Sequence, residues 1–366
     1  MKKLFWMIPL FFWMALVLNS RQTIAKPPIR GVWLTHLTGD VLASRENIRE
    51  AVSLCQASGI NTVFVGVWNN GYTLYPSDVT LQYFGETIDP RYRGRDPLHE
   101  LVEEASAAGI AVHAWFEYGF AASHQQEDGG KIIRKFPHWA AKDIEGNLLT
   151  KDNFQWLNIF HPEVQAFLLQ LILEVVDKYD IAGIQGDDRL SSLPSTGGYD
   201  DYTVHLYKRE HKGKIPPGDH LEEGWTQWRA EKLHAFLRTL FHKIKSKDKN
   251  MLVSMSPHVF PRSKGEYLRD WPTWVEKGWV DYIIPQIYQD QGKDYETVFL
   301  ENLDRVSAKD RRKFLPGVWI KTDDYLIPDA LLEENVRFHR ECDIEGEVFF
   351  VYEGLLLKQA FFKDYH

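Results

Sequence analysis

The sequence predicts an α/β protein, a (β/α)8 TIM barrel with long loops after strands 3 and 4. Three observations carry that reading. Eight apolar runs of strand length recur along the chain, helical periodicities lie between most of them, and the two longest connections follow the third and fourth runs. At 366 residues the chain exceeds the roughly 250 of a simple barrel, which leaves room for insertions. With 44% hydrophobic and 26% charged residues, a disordered or fibrous chain is excluded.

The strand runs are Arg30–Thr35, Thr62–Trp68, Ala111–Tyr118, Gly183–Asp188, Leu252–Pro257, Asp281–Tyr288, Phe314–Ile320 and Gly346–Glu353. They are continuous rather than alternating, the pattern of strands covered on both faces. The spacing predicts a helix over Arg45–Ser58, with Ser44 as N-cap and Gly59 as its stop. A second covers Pro97–Ala108, between Asp96 and Gly109. The third begins at Pro162 and places Val164, Phe167, Leu168, Leu171, Ile172, Val175 and Val176 on one buried face. Further helices are expected over Leu221–Lys245, Pro272–Lys277, Tyr295–Ser307, Asp329–Arg340 and Leu355–Phe362. The insertions Phe120–Phe160 and Arg189–His220 both follow strand C-termini, the face on which barrel active sites assemble.

At the N-terminus, Lys2 and Lys3 precede an apolar run from Leu4 to Leu18, and Thr23 and Ala25 supply small residues before a cut. Residues 1–25 therefore read as a signal peptide and 26–366 as a single barrel domain, exported to a periplasmic or extracellular site and membrane-anchored only if the leader is retained. Without Lys2, Lys3 and Arg21, 40 basic side chains face 51 acidic ones, a balance that repels nucleic acid and anionic membrane. No spacing of Cys or His forms a zinc site, and there is no calcium or phosphate loop, so the expectation is chemistry without metal or cofactor. Cys55 and Cys342 suit buried thiols as well as a disulfide.

Polar groups at strand ends are the site candidates, because a buried strand tip needs a partner or a ligand. His36 follows the first strand, Trp68 and Asn69 the second, Trp115 and Glu117 the third, and Asp187 and Asp188 the fourth. Ser256 and His258 end the fifth, Gln286 and Tyr288 the sixth, Trp319 the seventh, and Tyr352 and Glu353 the eighth. Adjacent strand residues face opposite ways, so only one of Asp187 and Asp188 looks down the axis unless the chain already turns there. Asp187 is the first choice for a reacting carboxylate, with Glu117 or Glu353 as its counterpart. The chain also carries 13 Trp, 16 Tyr and 21 Phe. Trp33, Trp68, Trp115 and Trp319, with Tyr75, Tyr288 and Tyr352, fall toward strand ends where sugar faces can stack.

Several of these segments together resemble the glycosyl hydrolase-like 10 family. They are Arg30–Thr35, Val67–Ser77, Gly94–Leu98, Trp115–Gly119, Leu157–Asn158 with His161–Val164, Gly183–Asp188, Val253–Pro257 and Gln286–Tyr288. The resemblance runs from about residue 29 to 355 and implies a bacterial exported (β/α)8 enzyme that hydrolyses glycosidic bonds. Members include an enzyme that cuts peptidoglycan glycan strands stripped of their peptides, so a polysaccharide of N-acetylated amino sugars is the favoured substrate. The arrangement also resembles amylase-type barrels, where the fourth strand carries an Arg two residues before the nucleophile. Here Gln185 stands at that position, which removes the charge partner expected to keep Asp187 ionised. Gly186 stands where relatives commonly carry Phe or another large residue. In hexosaminidase-type barrels two neighbouring acids divide the work, one orienting the 2-acetamido group and the next protonating the leaving oxygen, and Asp187 with Asp188 suits that. The alternatives are a carbohydrate-binding barrel that has lost catalysis and an exported scaffold protein.

Overall fold

The computed structural model describes residues 27–35, 39–288, 295–322 and 324–365; the expected leader, residues 1–25, lies outside them. Nine strands form one sheet: β1 Arg30–Leu34, β2 Thr62–Gly66, β3 Ala111–Phe116, β4 Gly183–Gly186, β5 Leu252–Met255, β6 Tyr282–Ile283, β7 Gln286–Ile287, β8 Gly317–Trp319 and β9 Glu347–Phe350. Every neighbouring pair is parallel, in the order β6-β5-β4-β3-β2-β1-β9-β8-β7. The two ends of that order, β6 and β7, belong to one stretch of chain, so the sheet curls around on itself.

That stretch corrects one expectation. The run Asp281–Tyr288 is two short strands, not one, and Pro285 stands in the break, where it has no N–H to donate. The neighbouring groups still pair: Gln286 N–H donates to the Pro257 carbonyl at 2.9 Å, and Gly317 N–H to that of Pro285 at 2.9 Å. Among the helices, Ser44 caps Arg45–Ala57 and Asp96 caps Pro97–Ala107, each accepting from a backbone N–H three residues on. Pro162–Lys178 buries Val164, Phe167, Leu168, Leu171, Ile172 and Val175 as the periodicity requires. The last expected helix is also corrected. It is two pieces, Tyr352–Leu357 and Gln359–Lys363, because Lys358 leaves helical geometry with φ −117° and ψ 26°.

The insertions have structure of their own. The first holds a three-stranded antiparallel sheet of Ala121–His124, Phe154–Trp156 and Thr150–Lys151, with the helix Gly130–Lys135. The second holds the helix Asp201–Glu210 and is pinned by the buried Arg229, whose guanidinium donates to the carbonyls of Ser195, Gly197 and His220. Burial lowers the Arg229 pKa to about 10. Cys55 and Cys342 are free thiols, and burial pushes Cys55 up to about 12. No helix among the described residues is long and apolar enough to cross a membrane.

Candidate active site

A cavity of about 130 Å³ lies at the C-terminal ends of the strands. Trp33 from β1, Trp115 from β3, Tyr288 after β7 and Phe350 from β9 form its aromatic wall, while Glu117, Asp187, Asp188, Arg189, Ser256 and Gln286 supply the polar groups. Trp33 is the hub of the wall, with ring centroids 6.5 Å from Trp115 and 6.0 Å from Phe350. A larger cavity of about 670 Å³ opens at the other end of the sheet, beside Ile29, Leu252 and Gly346. Its acids are exposed (Asp343, Glu345) or paired with a lysine (Asp281 with Lys245, 2.7 Å), so it concentrates no buried carboxylates.

Local backbone explains how two adjacent aspartates share one site. β4 ends at Gly186, and the chain turns at Asp187 instead of continuing the pleat. A Cβ at Gly186 would lie 2.5 Å from Leu190 Cδ2 and 2.7 Å from Met255 Sδ, so those side chains fill the space a larger residue would take. The turn presses against the end of the neighbouring strand: Phe120 N–H donates to the Arg189 carbonyl at 2.9 Å, and a Cβ on Gly119 would collide with that carbonyl.

Arg189 bridges the pair. Its guanidinium contacts Asp187 at 2.7 Å and Asp188 at 2.9 Å, and its Nε donates to the Glu117 carbonyl at 3.0 Å. Gln286 Nε2 donates to the other Asp187 oxygen at 2.9 Å, and His258 Nε2 lies 3.2 Å from Asp188. Arg269 donates to the Asp187 carbonyl at 2.9 Å. On the facing side, Asn69 Nδ2 donates to Glu117 Oε2 at 2.9 Å.

These contacts push the three buried carboxylates apart. Burial, then the like charge of Asp188, raises Asp187 well above the usual aspartate range against the pull of Arg189. Burial also acts on Asp188, but Arg189, His258 and Arg269 outweigh it and hold Asp188 below its ordinary value. Burial raises Glu117, opposed by Arg189 and the Asn69 hydrogen bond. The result is one ionised carboxylate beside two that retain protons more tightly, the division that acid–base chemistry needs.

The structure therefore brings together Asp187, Asp188, Glu117, Trp33, Trp115, Gln286 and Tyr288, with Asn69 behind Glu117. Trp319 stands beside the cavity, its ring 5.7 Å from that of Tyr288. Others fall elsewhere. Trp68 is fully buried against Phe167 and donates to the Gly119 carbonyl, because the chain past β2 folds into a hairpin with Tyr72–Thr73. Tyr75 is likewise buried, its hydroxyl donating to the Leu171 carbonyl and to Glu174. Tyr352 starts the helix Tyr352–Leu357 and packs into the core. Glu353, next on that helix, abuts Gly39 and does not line the cavity. His36 lies outside the described residues. Gln185 is no vacancy in the site, since its Oε1 accepts from Trp33 Nε1 at 2.6 Å and Arg189 supplies the cation missing at position 185. The place of Arg189 directly after the acid pair is a local signal for that ion pair, whereas Arg269 and Phe350 carry no local signal and were missed.

The glycosyl hydrolase-like 10 model matches residues 28–337. The chain belongs to the glycosyl hydrolase-like 10 family. Similar curated family relatives are glycosyl hydrolase DigH of Escherichia coli (strain K12), 26% identical over 289 residues, and glycosyl hydrolase YngK of Bacillus subtilis (strain 168), 24% identical over 297. The matches cover 72% and 71% of this chain but 62% and 54% of those proteins, so the chain spans little more than half of their length. Among solved structures, the glycoside hydrolase domain of PgaB (BpsB) from Bordetella bronchiseptica has a TM-score of 0.69 at 12% identity, covering 93% of this chain and 99% of that one. The catalytic domain of β-amylase from Paenibacillus polymyxa has a TM-score of 0.65 at 11% identity, covering 92% and 97%. At such identities these likenesses concern the fold, an α/β architecture around a curled parallel sheet. Family and fold support a glycosidase-type function.

Proposed function

We propose that this glycosyl hydrolase-like 10 protein is an exported glycosidase that cleaves O-glycosidic bonds of a cell-envelope polysaccharide, with denuded peptidoglycan glycan strands as the favoured substrate. Its fold is a single (β/α)8 barrel over residues 26–366, closed by β6 and β7 as the two halves of the sixth strand, and residues 1–25 direct its export. The observation that carries the reading is the split among three buried carboxylates beneath an aromatic wall: Asp188 ionised, Asp187 and Glu117 protonated more readily.

Glu117 is the general acid. Asn69 holds its Oε2, and among the described residues its Oε1 has no hydrogen-bond partner, which leaves that oxygen to carry the proton to the departing sugar oxygen. Asp188, fixed by Arg189 and His258, keeps its negative charge and stabilises the positive charge that develops at the anomeric carbon. Asp187 stands beside it to steer a 2-acetamido group or to attack the anomeric carbon after losing its proton. Trp33, Trp115, Tyr288 and Phe350 pack the sugar's apolar face. The test is incubation of the purified protein with denuded peptidoglycan and a panel of neutral polysaccharides, with new reducing ends read by mass spectrometry. Wild type releases ends, and Glu117→Gln, Asp187→Asn and Asp188→Asn do not. A wild type that releases none overturns the proposal, and activity on chains lacking the acetamido group separates direct attack by Asp187 from assistance by the substrate.

A further inference from the structure

The hairpin inside the first insertion, Thr150–Lys151 with Phe154–Trp156, reaches both groups that flank Asp188. On one side, the Phe154 ring lies 4.4 Å from the Arg189 guanidinium. On the other, the hairpin's turn residue Asp152 accepts a hydrogen bond from the Tyr267 hydroxyl, and the Tyr267 ring stacks on His258 with centroids 4.8 Å apart and planes 12° from parallel. Lys151 ties the same hairpin to Glu266 at 2.9 Å. His258 Nε2 lies 3.2 Å from Asp188 Oδ2, while its Nδ1 is buried and has no hydrogen-bond partner among the described residues.

That geometry favours a proton on Nε2. A proton on Nδ1, in the other tautomer or the imidazolium, leaves a buried N–H unsatisfied, whereas a proton on Nε2 leaves only a bare lone pair there. We propose that His258 is a positioning residue, kept as a neutral Nε2–H donor to Asp188 by the stacked Tyr267 and the Asp152 turn, so that the insertion hairpin controls the charge and direction of Asp188. This rests on the reading of Asp188 as the ionised carboxylate of the reaction. It gives the long connection after β3 a task that its length alone did not reveal.

The surrounding charges agree. Asp188 faces Arg189 and Asp187 on its own turn, Glu117 after β3, His258 after β5 and Arg269 beyond the helix Arg262–Tyr267. His258 faces Asp188, Arg262, Arg269 and Arg189, and burial lowers its pKa despite the aspartate. Tyr267 faces Asp152, Asp188 and Arg262.

The test joins two readouts on the full chain. ¹⁵N-histidine and ¹³C-carboxyl aspartate NMR report the His258 tautomer and the Asp188 titration, and kcat and KM against pH report catalysis. Near-UV circular dichroism checks that each variant is folded. Wild type is expected to show a neutral Nε2–H imidazole through the neutral range. His258→Phe should raise the Asp188 midpoint, move the acidic limb of the rate profile upward and lower kcat about ten- to a hundredfold, the equivalent of one charge-assisted hydrogen bond, with little change in KM. His258→Gln, whose amide reaches the same oxygen, should restore the midpoint and most of kcat, and Tyr267→Phe should shift both in the direction of His258→Phe by less. An imidazolium or an Nδ1–H tautomer in wild type, or an unmoved Asp188 midpoint in His258→Phe, overturns the proposal. Absence of glycan cleavage by wild type, with the NMR shifts as described, overturns the glycosidase reading and leaves the His258–Asp188 coupling standing.

Discussion

Glu347 opens β9 at the end of the sheet away from the cavity, and it is fully buried. Its two oxygens accept from the Arg340 guanidinium at 2.8 Å each, His339 Nδ1 lies 3.0 Å away, and the Tyr365 hydroxyl donates to it. Burial alone pushes this carboxyl up, but the bonds from Arg340 and His339 outweigh it and bring the pKa from 4.5 down to about 2. At about 1.4 kcal/mol per pH unit, that difference amounts to about 3 kcal/mol of stability. A folded-state pKa below the unfolded one makes this stability present above about pH 4.5 and lost as pH falls toward about 2. Glu347→Gln should therefore unfold at lower urea concentration than wild type at neutral pH, by about 3 kcal/mol from tryptophan fluorescence. The gap should close in steps between pH 4.5 and 2. Glycan cleavage per folded molecule should not change, because the cluster does not touch the cavity. A gap of constant size from neutral to acid pH refutes the argument, since Glu347 would then not be held ionised by its partners.

The site itself gives three more. Glu117→Gln should lower kcat by roughly 10²- to 10⁴-fold and abolish the basic limb of the rate profile. The same change should raise the melting temperature at neutral pH, because the folded state holds the Glu117 proton more tightly than the unfolded chain and stability falls as pH rises through the ordinary glutamate range; scanning calorimetry at neutral and acid pH checks the sign. Arg189→Met leaves two buried aspartates without their shared cation and should cost about 3–5 kcal/mol in urea unfolding at neutral pH, along with most of the activity. Tyr75→Phe should cost about 1 kcal/mol with KM unmoved, whereas Trp33→Phe should raise KM, a contrast that oligosaccharide titration reads directly.

Much of this was legible from residue order. Continuous Val, Ile and Phe runs specify strands covered on both faces, and Ser44, Asp96 and Pro162 mark helix starts wherever the chain is folded, because capping is a local interaction. Asp187, Asp188 and Glu117 stood out as acids at the tips of apolar strands, where solvation is poor. By contrast, Trp68, Tyr75 and Tyr352 look the same in sequence as Trp33 and Tyr288, and only the direction of the chain after each strand separates core from cavity. The break at Pro285 has a local cause, but the two halves pair with different neighbours for a global reason, the closing of a curled sheet.

The residues by themselves determined an α/β architecture around a parallel sheet and the acids that stand at its strand C-termini, since both follow from short-range pattern and the cost of burying a carboxylate. Which acid bears the charge was decided in three dimensions. Arg189, next in the chain to the acid pair, reaches both aspartates only because the chain turns at Asp187, and His258 and Arg269 come to Asp188 from distant segments that no linear spacing encodes.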